Sequence, residues 1–138
     1  MSEAVLAAAR AAIGVPFRLH GRDPAYGLDC VGLVALAVKA GGCNAPVPTG
    51  YALRSGDAVA MAAMIEAAGL EAATEPQSGD VLLLRAGPGQ LHLAIDCADG
   101  PDGGGIIHAD AQLRRVVERP GAPPWPIIGR WRVANRKE

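Results

Sequence analysis

The order in which helical and strand patterns follow each other constrains the fold of this chain most. Up to about residue 69 the apolar residues lie in alanine-rich runs typical of helices, and from about residue 74 they lie in short β-rich runs separated by turns. Helices first and consecutive strands afterwards favour an antiparallel sheet over alternating β-α-β units. The sequence therefore predicts an α+β fold. Its 138 residues are expected to form one domain, residues 1–138, around a single core.

Turn and capping residues mark the first and third of three predicted helices. The first begins at Ser2 and is closed by Gly14. The third, AVAMAAMIEAA, has Ser55 or Asp57 as its cap and stops at Gly69. Five strands are predicted after them, with the sequences VLLL, LHLAIDC, GIIHAD, RRVVER and IIGRWRV.

The second predicted helix begins near Cys30, after an irregular loop over residues 14–29 that ends at Asp29, a capping residue. It continues through VGLVALAVKA to Gly41 and is apolar on nearly every face, so we expect it to be buried on several sides. Free backbone N–H groups and the helix dipole at its first turn favour a thiolate at Cys30, as a reactive nucleophile requires. The alternative is that Cys30 is a small apolar core residue.

Charge and cysteine content exclude several classes of protein. The net charge of −1 argues against a nucleic-acid partner. Three cysteines, Cys30, Cys43 and Cys97, fit neither a disulfide framework nor a four-thiolate zinc site. The first residues lack the pattern of a signal peptide, and no run of about 18 apolar residues is present, so synthesis in the cytoplasm and no membrane partner are expected.

Two histidines are candidate partners for Cys30. Alternation along LHLAIDC places His92 on the strand face opposite Leu91 and Leu93, and in IIHAD it places His108 opposite Ile107. If the two strands are antiparallel neighbours, the imidazoles lie side by side, and we expect them on the sheet face where the Cys30 helix packs. His92 is then the general base and His108 orients it. The alternatives are half-buried sheet histidines, or a zinc site built from the same three side chains.

The stretch GVPFRLHGRDPAYGLDCVGLVALAV resembles the nucleophile segment of the NlpC-type cell-wall peptidases, which are papain-like cysteine hydrolases. GDVLLLR resembles their first strand, LHLAI the strand of the basic histidine, and IIHAD the strand of the third polar residue. PFRLHGRDP and YALRSGDAVAMAAMIEAAG look most similar to the phage-tail and gene-transfer-agent branch. The resemblance covers residues from about 8 to 132, and it implies a papain-like core in which the nucleophile helix packs on an antiparallel sheet.

Carried over by position, the resemblance implies Cys30 as nucleophile, His92 as general base and His108 as orienting residue. Many members have a tyrosine near the reacting carbonyl where this chain has Phe17. Tyr26 and the backbone N–H of Cys30 are the alternative donors to an oxyanion.

Neighbouring loop residues complete the candidate site. Asp29 is predicted to cap the helix and anchor the loop, and it is also a candidate substrate-binding residue beside Tyr26. His20 and Arg22 are candidate contacts for an anionic substrate. Gly32 is expected to allow close approach of the helix to the sheet.

The resemblance and the candidate residues together imply a cysteine endopeptidase that cleaves an amide bond in the peptide stem of bacterial peptidoglycan, without cofactor or metal. The resemblance implies the γ-D-glutamyl to diamino acid bond. Proteins of a phage-tail or gene-transfer-agent particle are the expected partners and the expected means of delivery. Two alternatives are a non-catalytic tail or wall-binding module of the same fold, and an amidase or acyltransferase acting on another substrate.

Overall fold

The computed structural model describes residues 2–43, 57–97 and 104–134. Within these ranges the helices are α1 (Ser2–Ala11), α2 (Cys30–Ala40) and α3 (Ala58–Ala67). The strands are β1 (Arg22–Asp23), β2 (Gly27–Leu28), β3 (Leu70–Ala72), β4 (Val81–Gly87), β5 (Gln90–Asp96), β6 (Gly105–Asp110), β7 (Arg115–Pro120) and β8 (Ile127–Val133). The predicted α+β class is confirmed. None of the described helices is long and apolar enough to cross a membrane.

Six strands form one antiparallel sheet in the order β3-β8-β4-β5-β6-β7. Four of them, β4 to β7, follow one another along the chain and pair as neighbours, which is what short turns between strands impose. β8 returns to pair with β4 on the other side and carries β3 at the edge. β1 and β2 form a small separate hairpin within the loop before α2.

Helix ends follow the capping signals of the sequence. Asp57 caps α3 by accepting a hydrogen bond from the N–H of Ala60 at 3.0 Å, and Gly69 after this helix has a positive φ of 103°. The alternative cap, Ser55, lies outside the described residues. Gly14 after α1 also has a positive φ, 94°.

The sheet has two apolar faces, and they are covered differently. The helix face carries Leu93, Ile95 and Ile107, which join α1 and α2 in the main core. The predicted burial of α2 is confirmed, because its buried residues extend around several sides of the helix: Cys30, Val31, Gly32, Leu33, Val34, Ala37 and Val38. The opposite face, which we call the Trp125 face, carries a smaller cluster of Leu82, Leu84, Ala94 and Ile106 with Trp125 packed on it.

A buried ionic network holds β4, β5 and β8 together at one end of the sheet. Arg130 Nη1 donates to Asp80 Oδ2 at 2.8 Å and to Asp96 Oδ2 at 2.6 Å, and Arg132 Nε donates to Asp80 Oδ1 at 2.7 Å. Asp80 is completely buried. Each buried carboxylate therefore has a cationic partner, which offsets the cost of taking it out of water.

Candidate active site

Asp29 fixes the loop before α2 to the first turn of that helix. Its Oδ1 accepts hydrogen bonds from the N–H of Gly32 and from Arg22 Nη1, both at 2.8 Å, and its Oδ2 accepts from the N–H of His20 at 2.9 Å. The carboxyl group is buried. The predicted helix cap and loop anchor are both confirmed, and His20 and Arg22 are the loop residues that this anchor holds.

Gly32 allows the backbone of the preceding loop to approach α2 closely. The expectation that it allows α2 to approach the sheet is wrong. A Cβ at this position would overlap the carbonyl oxygen of Gly21, a backbone atom in the loop. Gly21 is equally restricted, because a Cβ there would overlap the carbonyl oxygen of Gly27. These two contacts set the distance between the loop backbone and the start of the helix that carries Cys30.

Cys30 is the first residue of α2 and is 5% exposed. Burial raises the pKa of its thiol to about 12, although the backbone N–H groups of Leu93 and Val31 lower it. The expected preference for thiolate at the helix N-terminus is therefore wrong, because desolvation outweighs the lowering effect of these N–H groups on the pKa. The thiol is held as a proton donor rather than as a stored anion.

The thiol of Cys30 lies beside the point where the ladder between β5 and β6 ends. β5 and β6 pair only at Ile95↔Ile107 and Asp96↔Ile106. Beyond this ladder the N–H of Leu93 donates to the sulfur of Cys30. Cys30 thus lies where the two strands separate, next to the peptide unit that joins His92 to Leu93. No direct hydrogen bond joins the sulfur to the His92 imidazole in the described part of the chain.

The two predicted histidines are in direct contact. His92 Nε2 lies 2.9 Å from His108 Nδ1, with the ring centroids 5.1 Å apart. The predicted pairing of the imidazoles is confirmed, but the predicted face is wrong. Both rings lie on the Trp125 face, with Ala94 and Ile106, whereas α2 packs on the helix face.

Trp125 covers the histidine pair, and the sequence reasoning missed it. Its ring centroid lies 5.4 Å from that of His92 and 5.8 Å from that of His108, both in edge-to-face geometry. A single tryptophan in a run of prolines carries no periodic signal. Its rarity was the available clue, since the chain has only two tryptophans.

Burial under this cover keeps both imidazoles neutral. It lowers the pKa of His92 to about 4; His108 lowers it further and Asp110 raises it. Burial also lowers the pKa of His108, against the raising effect of Asp110 and with a lowering effect of Arg119. A neutral His92 near pH 7 has a free nitrogen lone pair and is able to act as a base.

The remaining predicted residues lie in the loop before α2. Tyr26, in the turn of the β1–β2 hairpin, is 72% exposed, which leaves it accessible to a ligand. Phe17 packs against the main core, half-buried. The guanidinium of Arg22 forms an ion pair with Asp29, so its positive charge is neutralised within the protein.

No group of three His, Cys, Asp or Glu side chains with metal-binding geometry occurs among residues 2–43, 57–97 and 104–134.

Comparison with known proteins gives a family match and similar folds. The model of the NlpC/P60 family matches residues 14–125. The NlpC/P60 domain of the peptidoglycan hydrolase SagA superposes with a TM-score of 0.56 at 25% identity, covering 86% of this chain and 88% of that one. No curated protein matches the chain significantly.

Two further solved structures are less similar in sequence and show the fold alone. The P60 domain of antigen MAP1204 from M. avium subspecies paratuberculosis has a TM-score of 0.55 at 21% identity, with 96% and 93% of the two chains covered. A Staphylococcus aureus subsp. aureus Mu50 protein described as similar to lipoprotein, of the NLP/P60 family, has a TM-score of 0.61 at 20% identity. The match covers 98% of this chain and spans only 42% of the staphylococcal one.

Proposed function

Because the chain belongs to the NlpC/P60 family, we propose that it cleaves an amide bond in the peptide stem of bacterial peptidoglycan. It is a cysteine peptidase. Two observations support the proposal: the thiol of Cys30 at the start of α2 accepts a hydrogen bond from the N–H of Leu93, and the neighbouring His92 is paired with His108 at 2.9 Å. The similar domain of SagA, a peptidoglycan hydrolase, supports the substrate class.

The catalytic cycle we propose uses Cys30 as nucleophile and His92 as general base and acid. His92 takes the thiol proton at Nδ1 while the sulfur attacks the carbonyl carbon of the stem peptide. The N–H of Cys30, at the positive end of α2, is the proposed donor to the oxyanion. His92 then gives the proton to the leaving amine, and a thioester remains. A water deprotonated by His92 hydrolyses the thioester, which regenerates the thiol and releases a carboxylate.

The proposed scissile bond is the one between the γ-carboxyl of D-glutamate and the diamino acid. Its support is the resemblance of the nucleophile segment, GLDCVGLVALAV, to cell-wall peptidases with this specificity. Mass spectrometry of products from defined muropeptides checks it. A new N-terminus on the diamino acid is the expected product, and cleavage elsewhere in the stem would replace this assignment.

The proposed route to the wall is a phage-tail or gene-transfer-agent particle. PFRLHGRDP, in the loop before the nucleophile, supports this branch of the family. We expect the chain to co-purify with such particles from cells that make them. Its recovery only from particle-free fractions would contradict this route.

Digestion of purified sacculi tests the activity. Wild type is expected to release stem-peptide fragments, and both Cys30→Ala and Cys30→Ser are expected to release none. Cys43→Ala is the matched control, because this half-buried thiol donates to the carbonyl of Ala68 away from the histidines. Equal release by wild type and both Cys30 variants would exclude the mechanism.

A wall-binding module without turnover is the second candidate function. Phe17 in place of a tyrosine favours it, as does the raised pKa of the Cys30 thiol. Such a module sediments with sacculi and releases nothing from them. The same digest therefore separates the two functions.

A further inference from the structure

His108 has a buried nitrogen that the proposed cycle does not use. The side chain is 2% exposed, and its Nδ1 faces His92. Its Nε2 is buried and has no hydrogen-bond partner in the described part of the chain. A buried polar atom without a partner is costly, so its surroundings require explanation.

The carboxylate of Asp110 lies close to this nitrogen. Asp110 Oδ2 lies 3.9 Å from His108 Nε2, about 1 Å beyond hydrogen-bond distance. Its Oδ1 accepts hydrogen bonds from the N–H groups of Gln112 at 2.8 Å and Leu113 at 3.0 Å. One oxygen thus fixes the turn after β6, and the other is directed toward the histidine.

His92 Nε2 and His108 Nδ1 are close enough to form a hydrogen bond, so one of these two nitrogens carries the proton and the other accepts it. If His108 carries its proton on Nδ1, it donates to His92 Nε2, and a neutral His92 must then carry its own proton on Nδ1. That tautomer has no lone pair for the thiol proton of Cys30. If His108 carries its proton on Nε2, its Nδ1 accepts from His92 Nε2–H, and His92 Nδ1 is free. Only the second arrangement is productive.

We propose that Asp110 is a positioning residue that holds the proton of His108 on Nε2 and thereby leaves Nδ1 of His92 free to accept the thiol proton. This inference rests on the proposed function. The carboxylate attracts an N–H in the buried site and repels a lone pair, so it favours the productive tautomer. Burial of His108 strengthens the preference, because little water screens the interaction.

Asp110→Asn separates this role from the structural one. The amide oxygen is able to keep both turn hydrogen bonds, while the NH₂ group takes the place of Oδ2. A donor at that position pairs with a lone pair on His108 Nε2 and so favours the unproductive tautomer. Replacement of a triad aspartate by asparagine has this effect in serine proteases. Asp110→Ala loses the turn bonds as well, and Asp57→Asn is a matched substitution at the distant cap of α3.

Ring-nitrogen NMR of the unliganded protein, together with kinetics on stem peptides, tests the proposal. We expect Nε2–H on His92 and His108 in wild type, and Nδ1–H on both in Asp110→Asn. We also expect kcat of Asp110→Asn to fall at least about tenfold, with KM and the free energy of unfolding near wild type. Asp57→Asn should match wild type in kcat and ring tautomers.

Two results would overturn the proposal: Nδ1–H on His108 in wild type, or unchanged tautomers in Asp110→Asn. Both are read without substrate and the first needs no variant, so a failure of the proposed peptidase activity is distinguishable from a failure of this inference.

Discussion

The imidazole pair is neutral because of what surrounds each ring. Trp125 contacts both rings edge to face, His108 is buried, and His92 is partly buried. Desolvation disfavours the charged form, which lowers the pKa of each histidine. Together with the raised pKa of Cys30, this describes a neutral thiol and a neutral base near pH 7. In the proposed cycle the proton therefore moves when the substrate arrives rather than beforehand.

Removal of the tryptophan cover should raise the pKa of His92. In Trp125→Ala water reaches the ring, and we expect the midpoint to rise from about 4 by about one unit or more, toward its ordinary value of 6.5. The acid limb of the pH–activity profile should move upward with it. Trp125→Phe, which keeps an aromatic ring over the pair, is the control. An NMR titration of the His92 ring proton measures the shift, and an unchanged midpoint in Trp125→Ala would contradict the role of Trp125.

Side-chain alternation was enough to predict which residues pair, but not where the pair lies. It placed His92 and His108 on one face of neighbouring strands, and that is correct. It gave no information on which face α2 covers, because both faces of this sheet are apolar. Trp125 contacts the histidines because the loop before β8 returns to the sheet beside them. No local sequence pattern predicts the path of that loop.

At the scale of elements, the loop before the nucleophile and the start of α2 form one rigid unit. Asp29 ties them by hydrogen bonds, and the loop backbone approaches the helix closely at Gly32. A side chain at Gly32 has no space. The orientation of Cys30 therefore depends on a contact between two backbones.

Gly32→Ala should destabilise the fold by about 1–3 kcal/mol. Alanine is favoured over glycine within helices by up to about 1 kcal/mol, but overlap with the carbonyl oxygen of Gly21 outweighs this gain, since a backbone atom is unable to rotate away. Gly87→Ala is the matched control, because the nearest atom to a Cβ there is 4.0 Å away. Urea unfolding measures both variants, and equal midpoints would show that the contact relaxes freely.

The long elements could be predicted from the sequence, and the short ones could not. α2 and α3 begin beside their predicted capping residues, and all five predicted strands are present. β3 has three residues and β1 and β2 have two each, which is too short for any periodicity to show. Their positions are set by pairing with distant residues, as Leu70 pairs with Val133.

For the whole molecule, the buried ionisable groups make stability depend on pH. A histidine whose folded pKa lies below its unfolded value of 6.5 binds fewer protons in the folded state. Its contribution to stability is complete above pH 6.5 and is lost as the pH falls toward about 4. Asp96 acts in the opposite direction, because burial raises its pKa despite the lowering effect of Arg130.

Acidification from pH 7 to pH 5 should therefore lower the free energy of unfolding of wild type relative to that of His92→Gln. With His92 at about 4 folded and 6.5 unfolded, the expected relative loss is about 2 kcal/mol. Comparison with the variant cancels the common contribution of Asp96 and of the other carboxylates. Denaturant unfolding at the two pH values measures it. A difference between the proteins that stays constant with pH would show that His92 titrates normally in the fold.

Contact between Trp125 and the histidines also gives the molecule an internal optical reporter. A protonated imidazole quenches indole fluorescence, whereas a neutral one quenches it much less. The second tryptophan, Trp131, is buried and donates to Glu66 Oε2 at 3.0 Å, so it supplies a nearly constant background emission. The emission of the unlabelled chain is thus expected to report the charge of the pair, and in the proposed cycle it would follow proton transfer to His92 in real time.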